Sequence, residues 1–207
     1  MSRTAQLRVA AVLAGWTLAA TAATAQEKPK APASMSAEEQ AMMQKWHAFM
    51  TPGEPHQRLA AKVGTWTNKV TMWQAPGAPP ATSEGTSEFK MILDGRYLQD
   101  ATQGSFMGMP FQGQGLTAYD NIKKKYVSTW IDNMGTGIMT AEGDFDPATK
   151  TFTYLGAGPD VMSGKYIPMK SVEKIDGPDQ WVMTMYSKTP DGKDWWKTME
   201  VVYTRKQ

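Results

Sequence analysis

Cysteine is absent from all 207 residues. That excludes disulfides, thiolate metal sites, a cysteine nucleophile and a lipidated amino-terminal cysteine, so the fold must stand on its core alone. Histidine is almost as scarce. The only two, His47 and His56, fit neither the spacing of a zinc-protease helix nor a serine triad, and neither lies on an expected strand. No apolar run approaches the roughly 20 residues that a membrane-spanning helix needs. Excess charge is missing too. The 22 basic side chains outnumber the 20 acidic ones only through Arg3 and Arg8, both in a segment expected to be removed. The remaining chain is then electrically balanced, which argues against nucleic acid or an anionic membrane as partner.

That removable segment is residues 1–25. Arg3 and Arg8 make a basic start, Val9 to Ala23 is small and apolar, and Ala23-Thr24-Ala25 fits a cleavage site before Gln26. This is the pattern of a secretory signal peptide, so the chain is expected in the periplasm or secreted, with no membrane insertion after cleavage. Residues 26–35, QEKPKAPASM, lack apolar periodicity and read as a disordered tether. Ser36 and Glu39 form a capping box opening a helix within 36–53, with Met42, Met43, Trp46, Phe49 and Met50 at helical spacing. A second short helix is expected from Pro55 to Val63, stopped by Gly64.

Beyond Trp66 the period changes to two. In Phe111 to Asp132 the set Phe111, Gly113, Gly115, Thr117 and Tyr119 faces one way, and Tyr126, Ser128, Trp130 and Asp132 match it past a polar turn. The unit recurs, giving ten expected strands near 66–73, 85–93, 96–105, 111–120, 124–132, 136–145, 151–156, 165–175, 180–187 and 195–205. Asp94-Gly95, Asp146-Pro147-Ala148-Thr149, Asp176-Gly177 and Pro190-Asp191-Gly192 punctuate them. Residues 73–83 read as the one long loop. An antiparallel meander this long closes or leaves edges that aggregate. The expected fold is therefore all-β, a closed up-and-down antiparallel barrel of about ten strands over residues 54–207, with helices at one mouth.

Gly64-Thr65-Trp66 at the start of the first strand resembles the G-x-W signature of lipocalins and other calycins, and Arg205 stands near the end of the last strand. The resemblance implies that Arg205 packs over Trp66 and closes the barrel. Leu93-Asp94-Gly95-Arg96-Tyr97, Gly108 to Gly113, Tyr119-Asp120 and Trp130-Ile131-Asp132 look like an uncharacterised bacterial lipocalin-like group, domain of unknown function 1579. It covers about residues 54–206 and implies a fold without an activity. The strand count is nearer that of fatty-acid-binding proteins and of the haem-carrying nitrobindins than the eight of true lipocalins.

Cofactor chemistry finds little footing. A haem barrel of the nitrobindin kind would need a strand-borne histidine, and there is none. The glycines at 113, 115, 135 and 137 are followed by no helix that could make a phosphate loop, and they suit the bends of a curving sheet. Asp144 and Asp146 lack the other oxygens of a calcium loop. No cofactor and no metal is expected. Methionine is plentiful at 16, and as a flexible filler it suits an adaptable apolar interior.

The expected function is the binding of a small, largely apolar ligand in the lumen. Candidate contacts are Tyr119, Trp130, Met183 and Met185, with Asp132, Glu142 and Glu200 as the polar groups. A barrel hydrolase or isomerase using inward carboxylates is the alternative from the enzyme class. A third reading is a protein-binding module docking through the amino-terminal helix with its Trp46 and Phe49. Alternation alone cannot direct Glu200, because Trp195-Trp196 puts one indole on each face.

Overall fold

The computed structural model describes residues 35–189 and 191–207. The expected signal peptide and nearly all of the tether lie outside them. The chain divides into two compact units between Gln40 and Ala41. Of the first, the described residues begin helix α1 (Ala37–Met50), where Ser36 Oγ accepts from the Glu39 N–H and the Glu39 carboxylate accepts from the Ser36 N–H. This is the expected capping box, closing two otherwise orphan amides.

The second unit holds everything else. Helix α2 (Glu54–Ala60) precedes β1 (Gly64–Met72), β2 (Ala81–Ile92), β3 (Tyr97–Phe106), β4 (Met109–Asp120) and β5 (Lys125–Asp132). Then follow β6 (Met139–Asp146), β7 (Thr151–Asp160), β8 (Lys165–Ile175), β9 (Gln180–Lys188) and β10 (Trp195–Arg205). Every strand pairs antiparallel with its neighbours in sequence, and β1 pairs with β10, so the barrel is closed. Closure leaves no ladder edge unpaired, as the meander required. Two strand boundaries shift by four residues from expectation, and the others by three or fewer. β2 starts at Ala81, shortening the long loop to 73–80, because Ala81 to Ser83 continue the ladder with Val70 to Met72. β7 runs on to Asp160 through Gly158 and Pro159, whose partners are Ile167 and Tyr166.

One end of the barrel is filled. Helix α2 sits there, with Leu59 fully buried, and the core that continues from it includes Trp66, Phe89, Leu98, Phe152 and Trp181. Trp181 and Tyr203 stack with centroids 3.8 Å apart. His56 opens α2: its Nδ1 accepts from the Gly53 N–H at 3.0 Å, and its ring meets Tyr119 edge-on. Asn121 Nδ2 donates to the Phe49 carbonyl and Arg96 to that of Met50, tying the end of α1 to two turns at this mouth. The apolar residues of α1 stay exposed, Trp46 at 52% and Phe49 at 46%.

The first and last strands lock together at the same mouth. Trp66 is paired with Arg205, whose guanidinium lies 4.1 Å from the indole centroid. Arg205 also donates to the carbonyls of Val63 and Pro178, and Trp66 Nε1 donates to that of Lys62. Gly64 has φ of +135°, and a Cβ there would strike the Arg205 guanidinium. Glycine is therefore needed for both conformation and space.

Candidate ligand site in the barrel lumen

The ladder registers place one inward set on each strand. Across the wall, Tyr126, Gly143, Tyr154, Ser171, Met185, Met199 and Met72 follow one another in register. The next ring toward the helices carries Phe145, Phe152, Glu173, Met183, Val201 and Val70. The helix end is dry, whereas Ser171, Met183, Met185 and Met199 are only half-buried although they face inward. A side chain facing inward in a closed barrel reaches solvent through the lumen.

Polar groups gather at the floor of this space. Lys62, at the approach to β1 and 4% exposed, enters from the helix end and pairs with Glu173. Its ammonium lies 4.6 Å from the Phe152 ring centroid and 4.8 Å from that of Trp181. A cation over two ring faces in a dry setting is attracted by both quadrupoles. On the facing wall, Asn68 Nδ2 donates to Ser87 Oγ at 2.9 Å, and Thr102 Oγ1 donates to Asp100 Oδ1 at 2.9 Å. Ser87 and Thr102 are 2.6 Å apart. Since the single Thr102 proton is committed to Asp100, the Ser87 hydroxyl must donate to Thr102, and the chain of bonds runs one way toward the carboxylate.

Asp100 ends that chain in a setting that disfavours its charge. Burial pushes its pKa from 3.8 to about 7, with the Glu173 carboxylate adding to the rise and the Thr102 hydrogen bond and Lys62 opposing it. Burial and then Glu173 raise the Tyr154 phenol well above its ordinary value. Burial likewise raises Tyr203, with Asp100 and Glu173 contributing. Glu173 and Lys62 thus act on Asp100, Glu173 on both tyrosines and Asp100 on Tyr203.

The residues expected to line the site divide. Tyr119, Trp130, Asp132, Met183 and Met185 fall on the inner face. Tyr119 belongs to the helix end, against His56 and, at 5.0 Å between centroids, Tyr126. Trp130 lies flat along the wall, stacked with Phe111, and a Cβ on Gly113 would collide with its indole. Asp132 faces inward, but its oxygens are committed: Oδ2 accepts from Trp130 Nε1 at 2.9 Å and Oδ1 accepts from the N–H groups of Met134 and Gly135. It shapes a turn. Glu142 and Glu200 are corrected to the outer face, where Glu142 pairs with Lys123 and Glu200 with Lys197. Asp144 likewise pairs with Lys125, and Asp146 accepts from Ala148 and Thr149 in its turn. Sequence reasoning missed Lys62, Asp100 and Glu173. Asp100 shares the period-two face of Leu98, and Glu173 that of Ile175, and that sharing was the available cue.

These features define a lipocalin-like barrel with a polar floor. The chain belongs to the family described as protein of unknown function (DUF1579), which matches residues 51–205. No curated protein matches it. Among solved structures it is similar to Rv2717c from M. tuberculosis, with 14% identity over 76% of this chain and 100% of that one, at a TM-score of 0.57. It is also similar to the S-type phycobiliprotein lyase CPES from Guillardia theta, at 11% identity, 79% and 97% coverage and a TM-score of 0.54. At these identities the likeness is one of fold.

Proposed function

We propose that this is an exported protein, in the periplasm or beyond, that binds a small and largely apolar molecule in its lumen, entering from the mouth remote from α2. One observation carries the reading: the inward side chains Met183, Met185 and Met199 are half-buried rather than fully enclosed, Met183 and Met199 resting on the edge of the core. Thioethers adapt to irregular apolar shapes, and ligand sites combine apolar walls with a few placed polar groups. Lipocalin-like neighbours, among them a phycobiliprotein lyase, are consistent with a barrel used as a container. Native mass spectrometry of the protein from its own host, followed by denaturing release, tests the reading. A stoichiometric apolar molecule is the expected result; an empty barrel that also fails to take up a hydrophobic dye would refute it. The start of the recovered chain, expected at Gln26, tests export in the same experiment.

A second reading is favoured by Asp100 alone. A carboxyl group with a pKa about 7 beside Glu173 and Lys62 suits proton transfer to or from a bound molecule, as in a hydrolase or isomerase. Turnover that follows an ionisation near neutrality and disappears in Asp100→Asn would move the function to that class.

A further inference from the structure

Among the described residues no group of three or more histidine, aspartate or glutamate side chains could hold a metal ion. Nitrogen and oxygen ligands are thus not gathered, but soft ones are. The chain has no cysteine and 16 methionines, so thioethers are its only soft donors. Three of them stand side by side in the lumen. Met185 of β9 is the register partner of Met199 of β10, and Met199 is in turn the partner of Met72 of β1. All three face inward and all three are half-buried, one ring nearer the open mouth than Met183 and Glu173. Direct partners on adjacent strands lie about 5 Å apart at Cβ. Methionine is unbranched and turns about three bonds, so the flanking sulfurs of Met72 and Met185 can swing to one point over the Met199 sulfur.

We propose that Met72, Met185 and Met199 form a three-thioether site for a soft monovalent cation, copper(I). It stands apart from the apolar-ligand reading, since it needs a lumen open to solvent but no organic guest. Thioethers select copper(I), whereas zinc takes imidazole, thiolate or carboxylate, and calcium and magnesium take oxygen. Thioethers are also neutral and carry no proton, so the charge of the ion must be met from elsewhere. The neighbouring ring supplies that charge. Glu173 is the register partner of Met183, one inward position from Met185, and with Asp100 it sets two carboxyl groups against the single ammonium of Lys62. An anion would meet that excess of acid, and a divalent ion would find no charged ligand among the three sulfurs.

Silver(I), which shares the closed d shell of copper(I) and keeps its oxidation state in air, is the probe. Silver nitrate is titrated into the protein in chloride-free buffer and followed by isothermal titration calorimetry. A single ion per chain should bind in the micromolar range or tighter, and zinc should not bind in its place. Met199→Leu should weaken silver by about tenfold or more, as expected when a ligand itself is lost. The double variant Met72→Leu with Met185→Leu should abolish the site. Leucine for methionine conserves volume and is among the best tolerated core changes, and a urea unfolding curve checks that each variant folds. Met107→Leu with Met109→Leu, at an exposed turn, should leave silver binding unchanged. In the parent, the ε-methyl NMR signals of Met72, Met185 and Met199 should shift together as silver is added, a readout that needs no variant. Absence of a micromolar site, its survival in the lumen variants, its loss in the turn variant, or equal uptake of zinc would each overturn the proposal.

Discussion

Replacing Lys62 by methionine should destabilise the barrel by about 3 kcal/mol, although the substitution swaps a charged side chain for an apolar one of similar length. Lys62 is 4% exposed and Glu173 only 15%. Removing one partner of a buried pair leaves the other charge uncompensated, at a cost of about 3–5 kcal/mol. The lower end applies because Glu173 keeps some contact with the lumen. Loss of the cation over Phe152 and Trp181 adds about 0.5–2 kcal/mol, which packing of the new thioether on the same rings offsets in part. For a domain of this size the midpoint of thermal unfolding should fall by roughly 6–12 °C. Urea unfolding followed by tryptophan emission is the assay, since Trp66 and Trp181 lie in the affected core. The double variant Lys62→Met with Glu173→Leu removes both charges, and it should recover to within about 1 kcal/mol of the parent. If the single variant loses less than about 1 kcal/mol, or the double variant is no better than the single, the pair is not the compensated buried unit described here.

Asp100 should make stability depend on pH in an unusual direction. Its folded pKa of about 7 lies above the ordinary 3.8, so the folded state holds a proton that the unfolded chain releases. Stability contributed by that proton is present below about pH 4 and is lost as pH rises to about 7, on the order of 2–4 kcal/mol in all. Asp100→Asn should flatten this decline and exceed the parent in urea midpoint at pH 8; a parent that gains stability between pH 4.5 and 7 through this group would contradict it. Burial lowers the pKa of His56 from its ordinary 6.5, which acts the other way, with stability lost as the pH falls below that ordinary value, so the Asp100 effect is read as the difference between parent and variant. Gly64→Ala should lower the thermal midpoint through both its positive φ and the clash with Arg205, and a variant melting with the parent would show that the closure can relax.

The strands were legible because their turns are chemically explicit: Asp94-Gly95, Asp146-Pro147 and Asp176-Gly177 punctuate a continuous period of two, and Ser36 with Glu39 marks the start of α1. The pairing of Trp66 with Arg205 came from family resemblance, since nothing in spacing joins residues 139 positions apart. The floor was hidden for a different reason. Lys62 follows a short helix and reads as a solvated lysine, yet the turn before Gly64 carries it inside. Glu142 and Glu200 alternate with their neighbours as regularly as Asp100 and Glu173 do, and alternation fixes membership of a face without saying which face is inner. Register around a closed sheet decides that, and register is set by contacts between strands.

Because β10 is the strand that joins β9 to β1, the barrel cannot exist as a circle until β10 has been made. A growing polypeptide that ends between Lys188 and Trp195 has two open ladder edges, one on β1 and one on β9, each a template for another chain. Closure is thereby postponed until β10 emerges, and long-range closure of this kind is slow. A cell making this protein must hold a nearly complete, edge-exposed sheet apart from its copies, and loss of the eleven residues of β10 should yield aggregate rather than a smaller barrel.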